Sequence, residues 1–263
     1  MKAPGGDTAA KARARVESDA ARQIARFSVA AKGLHPRSCP LCGYKGAFTA
    51  FGQPPRYDAR CGGCSSLERH RLFALWMDRD QPFGPTHRVL HFAPEVQVSA
   101  RIRAAVGTYD TADLSGRRPV THRINIEDTG LPDAAYDRII CSHVLEHVDD
   151  ARALAEMFRM LAPGGLAVLM TPIVEGWAKT YENPAITLPS ERLVHFGQSD
   201  HVRVYGRDFR DRIRAAGFSL TEFTAVEPDV LTYGLWRGET LFIATRPAIS
   251  DAEALAIPTQ TGD

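Results

Sequence analysis

Four of the five cysteines form two pairs whose spacing is typical of a zinc site. Two residues separate the cysteines within each pair and eighteen separate the pairs, which are Cys39 with Cys42 and Cys61 with Cys64. A two-residue spacer lets one tight turn direct both sulfurs at one ion, and Gly43 and Gly62 give such turns a permissive backbone. Four thiolates leave no position for water, so we predict a structural zinc ion. The alternative is four unconnected buried thiols.

A second group of reactive side chains lies in the sequence SHVLEHV, which follows an apolar segment. His143 is a candidate for lining a substrate pocket. For Glu146 and His147 we favour a structural role, in which they cap and pack the helix that follows. Cys141 lies within the apolar segment and is predicted to be a core residue rather than a nucleophile.

A third group lies in the long segment 174–206, which is rich in polar and aromatic residues. Long connections over the ligand face of a scaffold tend to carry function. Its Tyr–Glu and Asp–His pairs could each provide a general base with an orienting partner. A lid that only excludes water is the alternative. The candidate catalytic residues are His143, Tyr181, Glu182, His201 and Tyr205.

Alternating strands and helices must position these side chains. Strands are predicted over His87–Ala93, Gly107–Asp113, Thr121–Ile126, Tyr136–Ser142, Leu166–Pro172, Ser219–Ala225 and Glu239–Thr245. Helices are predicted over Glu95–Val106, Asp150–Leu161 and Gly206–Ala216. This alternation indicates an α/β fold with a Rossmann-like, doubly wound, mostly parallel sheet of about seven strands.

The chain divides by composition into four parts. We predict a helical extension over 1–34, a zinc ribbon plus helix over 35–80, the α/β domain over 81–247 with the insertion 174–206, and a flexible tail over 248–263. The extension has a basic helix face, which either is solvated while the helix docks on the body or contacts a phosphate-bearing partner.

Composition excludes several classes of protein. Lys+Arg 32 against Asp+Glu 31 gives a formal charge of +1, so no global basic field indicates nucleic acid. No apolar run is long enough to span a membrane, and no secretory signal is visible. We therefore expect a cytoplasmic protein, in which paired thiols hold metal rather than form disulfides.

Residues 87–172 resemble the S-adenosylmethionine (AdoMet)-binding core of class I methyltransferases, especially those of type 11. The sequence NIEDTGLPDAAYDRIICSHVLEHVDD resembles the third-to-fourth strand region of that family, and Pro163–Gly165 match its turn before the fifth strand. The cysteine module followed by CSSLERHRLFALW and VLHFAPE resembles a narrower set of zinc-ribbon methyltransferases.

The resemblance implies AdoMet as the cofactor and assigns residues to it. Asp113, at the end of the second strand, would accept both ribose hydroxyls, and Asn125 with Ile126 would hold the adenine. Asn125 stands where the family usually has Asp. Ser142 would lie beside the methionine half. These positions agree with ligand binding at the carboxyl ends of parallel strands.

The loop after the first strand departs from the family pattern, which has an acid and then glycines. Here the loop lacks glycine and reads His91, Phe92, Ala93, Pro94 and Glu95. Ala93 is small, the amides after Pro94 could face the cofactor carboxylate, and Glu95 could take the role of the usual acid. The alternative is that this loop no longer binds cofactor.

Three functions remain open. The neutral charge and the long insertion favour AdoMet-dependent methyl transfer to an O, N or S atom of a small molecule. The second function is an RNA methyltransferase that binds RNA through the ribbon and the first helix. The ribbon, however, shows basic residues without an aromatic–basic stacking array. A non-enzymatic zinc-ribbon adaptor is the third.

Overall fold

The computed structural model describes residues 11, 13, 15–24, 35–52, 55–116 and 119–248. The chain forms two compact units. The first contains the described residues up to Leu75 together with Ala225–Gly238, and the second contains Trp76–Thr224 and the chain from Glu239. The sequence-based boundaries had given Ala225–Gly238 to the α/β domain. The predicted tail beyond residue 248 lies outside the described residues.

The first unit contains two small antiparallel β-hairpins. The strands are β1 (Arg37–Ser38) with β2 (Lys45–Gly46) and β3 (Thr49–Phe51) with β4 (Arg56–Arg60). Helices are α1, which includes residues 15–24, the start of α2 (Glu68–Asp80), and α7 (Asp229–Tyr233). Along α1 the side chains of residues 15–23 are exposed, so the described part of this helix presents no buried face.

Arg71 lies at the centre of the first unit and is fully buried. Its guanidinium lies 4.6 Å from the ring centre of Phe48. It donates hydrogen bonds to the backbone carbonyls of Ala59 at 3.0 Å, Ser66 at 2.6 Å and Tyr233 at 2.7 Å, and to that of Gly234. One side chain thereby joins segments more than 160 positions apart in the sequence.

The second unit contains the remaining elements, numbered in chain order. These are β5 (Arg88–Phe92), α3 (Val96–Ala105), β6 (Thr108–Ala112), β7 (Tyr136–Ser142), a 3-10 turn (Leu145–His147), α4 (Asp150–Met160), β8 (Leu161–Met170), β9 (Tyr181–Glu182), α5 (Pro189–Phe196), β10 (Arg203–Val204), α6 (Phe209–Ala215), β11 (Ser219–Thr224) and β12 (Thr240–Thr245).

The central sheet has the strand order β11-β12-β8-β7-β5-β6. Strands β5 to β8 are parallel, whereas β12 and β11 are antiparallel to their neighbours. The predicted α/β fold with a mostly parallel, Rossmann-like sheet is therefore confirmed. Helix α4 packs on this sheet through Ala153, Leu154, Met157 and Met160, at most 1% exposed, which share one helix face.

Six strands, rather than about seven, form this sheet within the described residues. Thr121–Ile126 was predicted to be a strand, but it forms only isolated bridges, a parallel one from His122 to Ala112 and an antiparallel one from Asn125 to Asp128. The Asn125 side chain accepts a hydrogen bond from the amide of Glu127 at 3.1 Å. Such a local side-chain bond competes with a β-ladder for backbone groups, so the segment turns after one bridge to β6.

The insertion has secondary structure of its own. Strands β9 and β10 pair antiparallel, and α5 lies between them in the chain. Helix α4 is capped by Asp149, whose carboxylate accepts from the amides of Ala151 and Arg152. Glu146 and His147 therefore do not cap this helix, contrary to the sequence-based interpretation. No helix in the described part of the chain is long and apolar enough to cross a membrane.

Candidate functional site

The parallel strands bring most of the predicted cofactor residues to one edge of the sheet. Phe92 is in register with Ala112 on one side and with Cys141 on the other. The residues that follow, Ala93, Asp113 and Ser142, therefore stand together at the carboxyl ends of three adjacent strands. From β5 the chain proceeds to β6 on one side and to β7 on the other, so this edge is the topological switch point, where ligands bind in open α/β sheets.

The loop after β5 keeps a glycine-like conformation without a glycine. Ala93 has φ +46°, in the left-handed region that side chains rarely adopt. Its amide donates to the carbonyl of Ala112 at 2.8 Å, which ties the loop to β6. Glu95 is the N-cap residue of α3, and its carbonyl accepts from the amides of Val98 and Ser99.

His91 and Phe92, which were predicted to line the cofactor site, are buried strand residues. Nδ1 of His91 lies 2.8 Å from the hydroxyl of Tyr109, which donates to Ser99 at 3.0 Å. Burial lowers the pKa of His91 to about 4, with a weaker opposing effect of Glu95. His91 is therefore neutral near pH 7, and its side chain packs β5 against β6 and α3.

Asp113 and Asn125 both stabilise their own loops. Oδ1 of Asp113 accepts from the hydroxyl of Ser115 at 2.6 Å. A carboxylate offers about four lone-pair sites, so Asp113 retains acceptor capacity for further donors. Ile126 is 4% exposed and belongs to the main core.

His143 follows β7 at the same edge and has φ +53°. Its amide donates to the carbonyl of Met170 at 2.8 Å, which fixes the backbone after the strand. Nδ1 lies 3.2 Å from Oε1 of Glu146. Nε2 is buried and has no hydrogen-bond partner within the described part of the chain. Such an unsatisfied atom costs free energy unless a ligand group pairs with it.

Glu146 is 2% exposed and is held from several sides. Burial alone raises the pKa of this carboxyl, but the hydrogen bond and charge of His143 outweigh it, so the pKa lies below its usual value. The hydroxyl of Thr171 donates to Oε2 at 3.0 Å. The backbone carbonyl of Glu146 accepts from the amide of Val202 at 2.9 Å, which ties the insertion to the turn after β7.

The other candidate catalytic residues do not gather at one point. The hydroxyl of Tyr181 lies 2.7 Å from Nδ1 of His195, so Tyr181 does not pair with Glu182. Glu182 instead forms ion pairs with Arg203 at 2.9 Å and Arg212 at 2.7 Å. Burial raises the pKa of Glu182, but the two guanidinium groups lower it by more, so the pKa lies below its usual value. Glu182 is therefore an ionised ion-pair partner.

Tyr205 is fully buried, and its hydroxyl donates to Asp150 at 2.9 Å and to the carbonyl of Leu145 at 3.1 Å. Burial and the charge of Asp150 raise its pKa well above the usual value. The hydroxyl therefore stays protonated, and its hydrogen bonds connect the end of the insertion to the turn after β7 and to α4. The structure does not bring it to the open edge of the sheet.

His201 lies beside His147, with the ring centres 4.6 Å apart and nearly perpendicular. Asp200, which was expected to orient His201, instead contacts Nδ1 of His147 at 3.4 Å. Burial, and then the charge of His147, lower the pKa of His201. The sequence favours a structural role for Glu146 and His147, whereas the structure places both beside His201. The adjacency of three titratable residues in SHVLEHV was the signal that pointed to a site.

The four paired cysteines converge in the first unit. Their sulfurs all lie within 4.8 Å of one another, with Cys39 and Cys64 3.7 Å apart and Cys42 and Cys61 3.8 Å apart. A tetrahedron with metal–sulfur bonds of about 2.3 Å has edges of about 3.8 Å. The cluster therefore has the dimensions of a tetrathiolate zinc site.

The two cysteine loops have the same backbone structure. The amide of Cys39 donates to Tyr44 and its carbonyl accepts from Gly43; the amide of Cys61 donates to Ser66 and its carbonyl accepts from Ser65. Gly43 has φ +73°, as its turn requires. Gly62 was predicted to provide the permissive backbone of the second turn, but the left-handed residue there is Ser65, with φ +59°. A Cβ added at Gly63 would stand 3.1 Å from Sγ of Cys42.

A curated relative from Mycolicibacterium smegmatis, described as a probable S-adenosylmethionine-dependent methyltransferase, is 36% identical over 70 residues, which are 24% of this chain and 27% of the relative. The matched part thus spans about a quarter of that protein.

Two solved structures resemble the chain over most of its length. One is an S-adenosylmethionine-dependent methyltransferase from Mesorhizobium loti, with 16% identity, a TM-score of 0.46, and coverage of 63% of this chain and 92% of that one. The other is the Burkholderia thailandensis 1,6-didemethyltoxoflavin-N1-methyltransferase, with 16% identity, a TM-score of 0.46, and coverage of 67% and 76%.

A family model described as a methyltransferase domain matches residues 16–222. This match begins before the cysteine module and ends within β11, so it covers well over half of the chain. The protein belongs to the methyltransferase domain family and has the class I fold.

Proposed function

We propose that this protein is an AdoMet-dependent methyltransferase that transfers a methyl group to an O, N or S atom of a small-molecule acceptor. One observation carries the proposal: Ala93, Asp113 and Ser142 lie at the carboxyl ends of three adjacent strands, at the switch point of the sheet. These are the positions that the family resemblance assigns to the cofactor.

The residues at this edge fit AdoMet by their chemistry. Asp113 has acceptor capacity for ribose hydroxyls, and the left-handed Ala93 lets the backbone pass close to a ligand. AdoMet supplies an electrophilic methyl group on a sulfonium. The protein must then align an acceptor with it and exclude water. Among the residues that the structure describes, Nε2 of His143 has no partner at the same edge, and we assign it to the acceptor pocket.

We also propose that Cys39, Cys42, Cys61 and Cys64 hold a structural zinc ion. The sulfur separations support this assignment. All four tetrahedral positions are taken by thiolates, so the ion would stabilise the first unit and would have no free position for a substrate.

Calorimetry with AdoMet and with S-adenosylhomocysteine tests the cofactor proposal. We expect saturable binding of both at one site per chain. An assay with labelled AdoMet on fractionated cell extract then identifies the acceptor class. The absence of binding by folded, zinc-loaded protein would favour the adaptor function and overturn the proposal.

One observation favours RNA as the second candidate acceptor. In the first unit, Arg60 lies 5.3 Å from the ring centre of Phe51, and Arg56 lies 5.5 Å from that of Trp236. Trp236 is 53% exposed. The ribbon sequence shows no aromatic–basic array, because Trp236 is remote from the ribbon in sequence. Stacked arginine and aromatic groups suit single-stranded RNA.

Acceptor fractions treated with ribonuclease separate the two candidates. Methyl incorporation that survives ribonuclease supports a small molecule, whereas incorporation confined to intact RNA supports the second function. Trp236→Ala provides a matched test, because it should lower incorporation only in the RNA case.

The role proposed for the insertion has a separate test. If residues 181–205 contribute to the acceptor site, His201→Ala should leave AdoMet affinity unchanged while it lowers turnover at least tenfold. An insertion that only excludes water predicts little effect on either quantity. Val194→Ala is the control, since Val194 lies on the same insertion and its side chain is 82% exposed.

A further inference from the structure

Glu146, His147 and His201 form a compact cluster in the second unit. One ligand atom from each lies within 4.8 Å of the others. Glu146 and His147 belong to the turn after β7, at the ligand edge of the sheet, and His201 comes from the insertion. The cluster therefore joins the turn after β7 to the insertion.

The carboxylate of Glu146 is oriented before any ligand arrives. His143 contacts one oxygen at 3.2 Å, and Thr171 donates to the other at 3.0 Å. The backbone amide of Glu146 itself also bonds the carboxylate. A carboxylate has about four lone-pair sites, so acceptor capacity remains for a cation.

Each imidazole of the cluster is also held through one ring nitrogen. Nδ1 of His147 lies 3.4 Å from Oδ2 of Asp200. His201 hydrogen-bonds to the backbone of Phe196. Histidines that bind metals commonly give their second nitrogen to a carboxylate or a backbone carbonyl, which fixes the tautomer and the direction of the first. Each histidine of the cluster has such a carboxylate or backbone group beside its ring, and the two ring centres lie 4.6 Å apart.

We propose that Glu146, His147 and His201 bind one divalent transition-metal cation, in a site separate from the tetrathiolate cluster. Two imidazoles and one carboxylate form a nitrogen–oxygen donor set suited to Mn²⁺, Fe²⁺, Co²⁺ or Zn²⁺, whereas Mg²⁺ and Ca²⁺ prefer oxygen ligands alone. Three protein ligands leave coordination positions open.

The open positions define the acceptor class. At the edge of the sheet beside His143, a cation with free positions would bind a hydroxyl oxygen of the acceptor and increase its acidity. This step rests on the proposed methyltransferase function. The substrate class is then a small molecule with a hydroxyl or carbonyl oxygen able to bind metal.

Titration of zinc-loaded protein with Mn²⁺ tests the site, with loss of the free-ion electron paramagnetic resonance signal as the readout. Mn²⁺ is the appropriate probe because it competes poorly for thiolates. We expect one Mn²⁺ per chain besides the ribbon zinc. Glu146→Gln and His201→Asn should each weaken binding at least tenfold, and Thr171→Val should weaken it by a smaller factor. His195→Ala should bind as the wild type does.

Three results would overturn the proposal: no Mn²⁺ bound by folded protein, binding that survives in His201→Asn, or equal weakening in His195→Ala. Should Glu146→Gln fail to fold, His201→Asn decides alone, because His201 is only partly buried. AdoMet calorimetry on the same protein separates the two proposals. Mn²⁺ binding without AdoMet binding leaves the metal site and removes the methyltransferase function; the opposite result removes only the metal site.

Discussion

Ala93 and His143 adopt left-handed backbone conformations at neighbouring strand ends, with φ +46° and +53°. Each such non-glycine residue costs about 1–3 kcal/mol, which the surrounding structure must offset. Both follow strands that flank the switch point, and both amides bond a neighbouring strand at 2.8 Å. Strain retained at the two loops nearest the proposed ligand supports a functional reason for it.

Asp113→Ala should weaken AdoMet binding by about 1.5–3 kcal/mol, since it removes hydrogen bonds from the ribose to a charged acceptor. Asp113→Asn keeps an oxygen for Ser115 and should lose less affinity. Calorimetry measures both, with circular dichroism to verify folding. Asp211→Ala, at an exposed ion pair with Arg214, is the control. Equal affinity in Asp113→Ala and the wild type would place the ribose elsewhere.

Purified protein should contain one zinc ion per chain at the ribbon in metal analysis carried out before any cation is added. The double variant Cys39→Ser/Cys61→Ser should lose it, because each of its two cysteine pairs then has only one thiolate. Cys141→Ser is the matched control, since Cys141 is fully buried in the sheet core and outside the cluster. Ribbon zinc retained by the double variant would contradict the assignment.

Residue types were more predictable from the sequence than residue partners. The cysteine spacing identified a set of sulfurs that do converge, because ligand spacing is a local property of one turn. The pairings within the insertion were not predictable. Asp200 contacts His147 rather than its sequence neighbour His201, because tertiary structure determines which side chains meet.

At the scale of elements, the parallel strands β5 to β8 were predicted because their apolar runs are strong local signals. Thr121–Ile126 was overestimated, because its periodicity suggested a strand while Asn125 offered the backbone an alternative partner. The pairing of β9 with β10 could not be predicted, since each is two residues long and the partners lie about twenty positions apart.

The packing of β5 against β6 and α3 has a pH dependence that follows from His91. The unfolded chain protonates this residue below about pH 6.5, whereas the folded chain does so only below about pH 4. Unfolded protein therefore binds more protons between these values, and the free energy of unfolding falls as the pH falls. The titration of His91 accounts for about 3 kcal/mol of that loss in the free energy of unfolding.

His91→Gln should remove this share while it retains a partner for the hydroxyl of Tyr109. Urea unfolding at pH 7, 5.5 and 4.5 measures the effect. We expect a flatter pH profile for the variant, whereas His195→Gln at an exposed site should follow the wild type. Parallel profiles for His91→Gln and the wild type would mean that His91 is protonated in the folded protein. The groups that face it are Tyr109, Ser99 and the carboxylate of Glu95.

At the scale of the whole molecule, the first unit is assembled from two segments of the chain that are far apart in sequence. After β11 the chain enters the first unit as Ala225–Gly238, where it forms α7. It then continues in the second unit as β12. Sequence composition could not indicate this, because nothing local distinguishes these residues from an ordinary strand connection. A fragment that ends at residue 80 would lack part of its own core.

Arg71 makes this assembly testable. Arg71→Met preserves much of the side-chain volume but removes every donor, which leaves the carbonyls of Ala59, Ser66, Tyr233 and Gly234 without this partner. We expect a loss of about 3–5 kcal/mol in the free energy of unfolding, the scale for breaking a buried charged network. Arg79→Met on the same helix, where the guanidinium lies 5.7 Å from the ring of Phe223, should cost less than about 1 kcal/mol.

The zinc ion provides a second readout, because the carbonyl of Ser66 accepts both from Arg71 and from the amide of Cys61. Loss of Arg71 should loosen the second cysteine loop and so accelerate transfer of zinc to a chelator. A merely packed side chain at this position predicts lower stability with unchanged zinc release. If Arg71→Met unfolds within about 1 kcal/mol of the wild type and releases zinc at the same rate, the carbonyl network does not hold the two segments together. Other contacts between them, such as the hydrogen bond from the Arg37 guanidinium to the carbonyl of Leu231, must then do so.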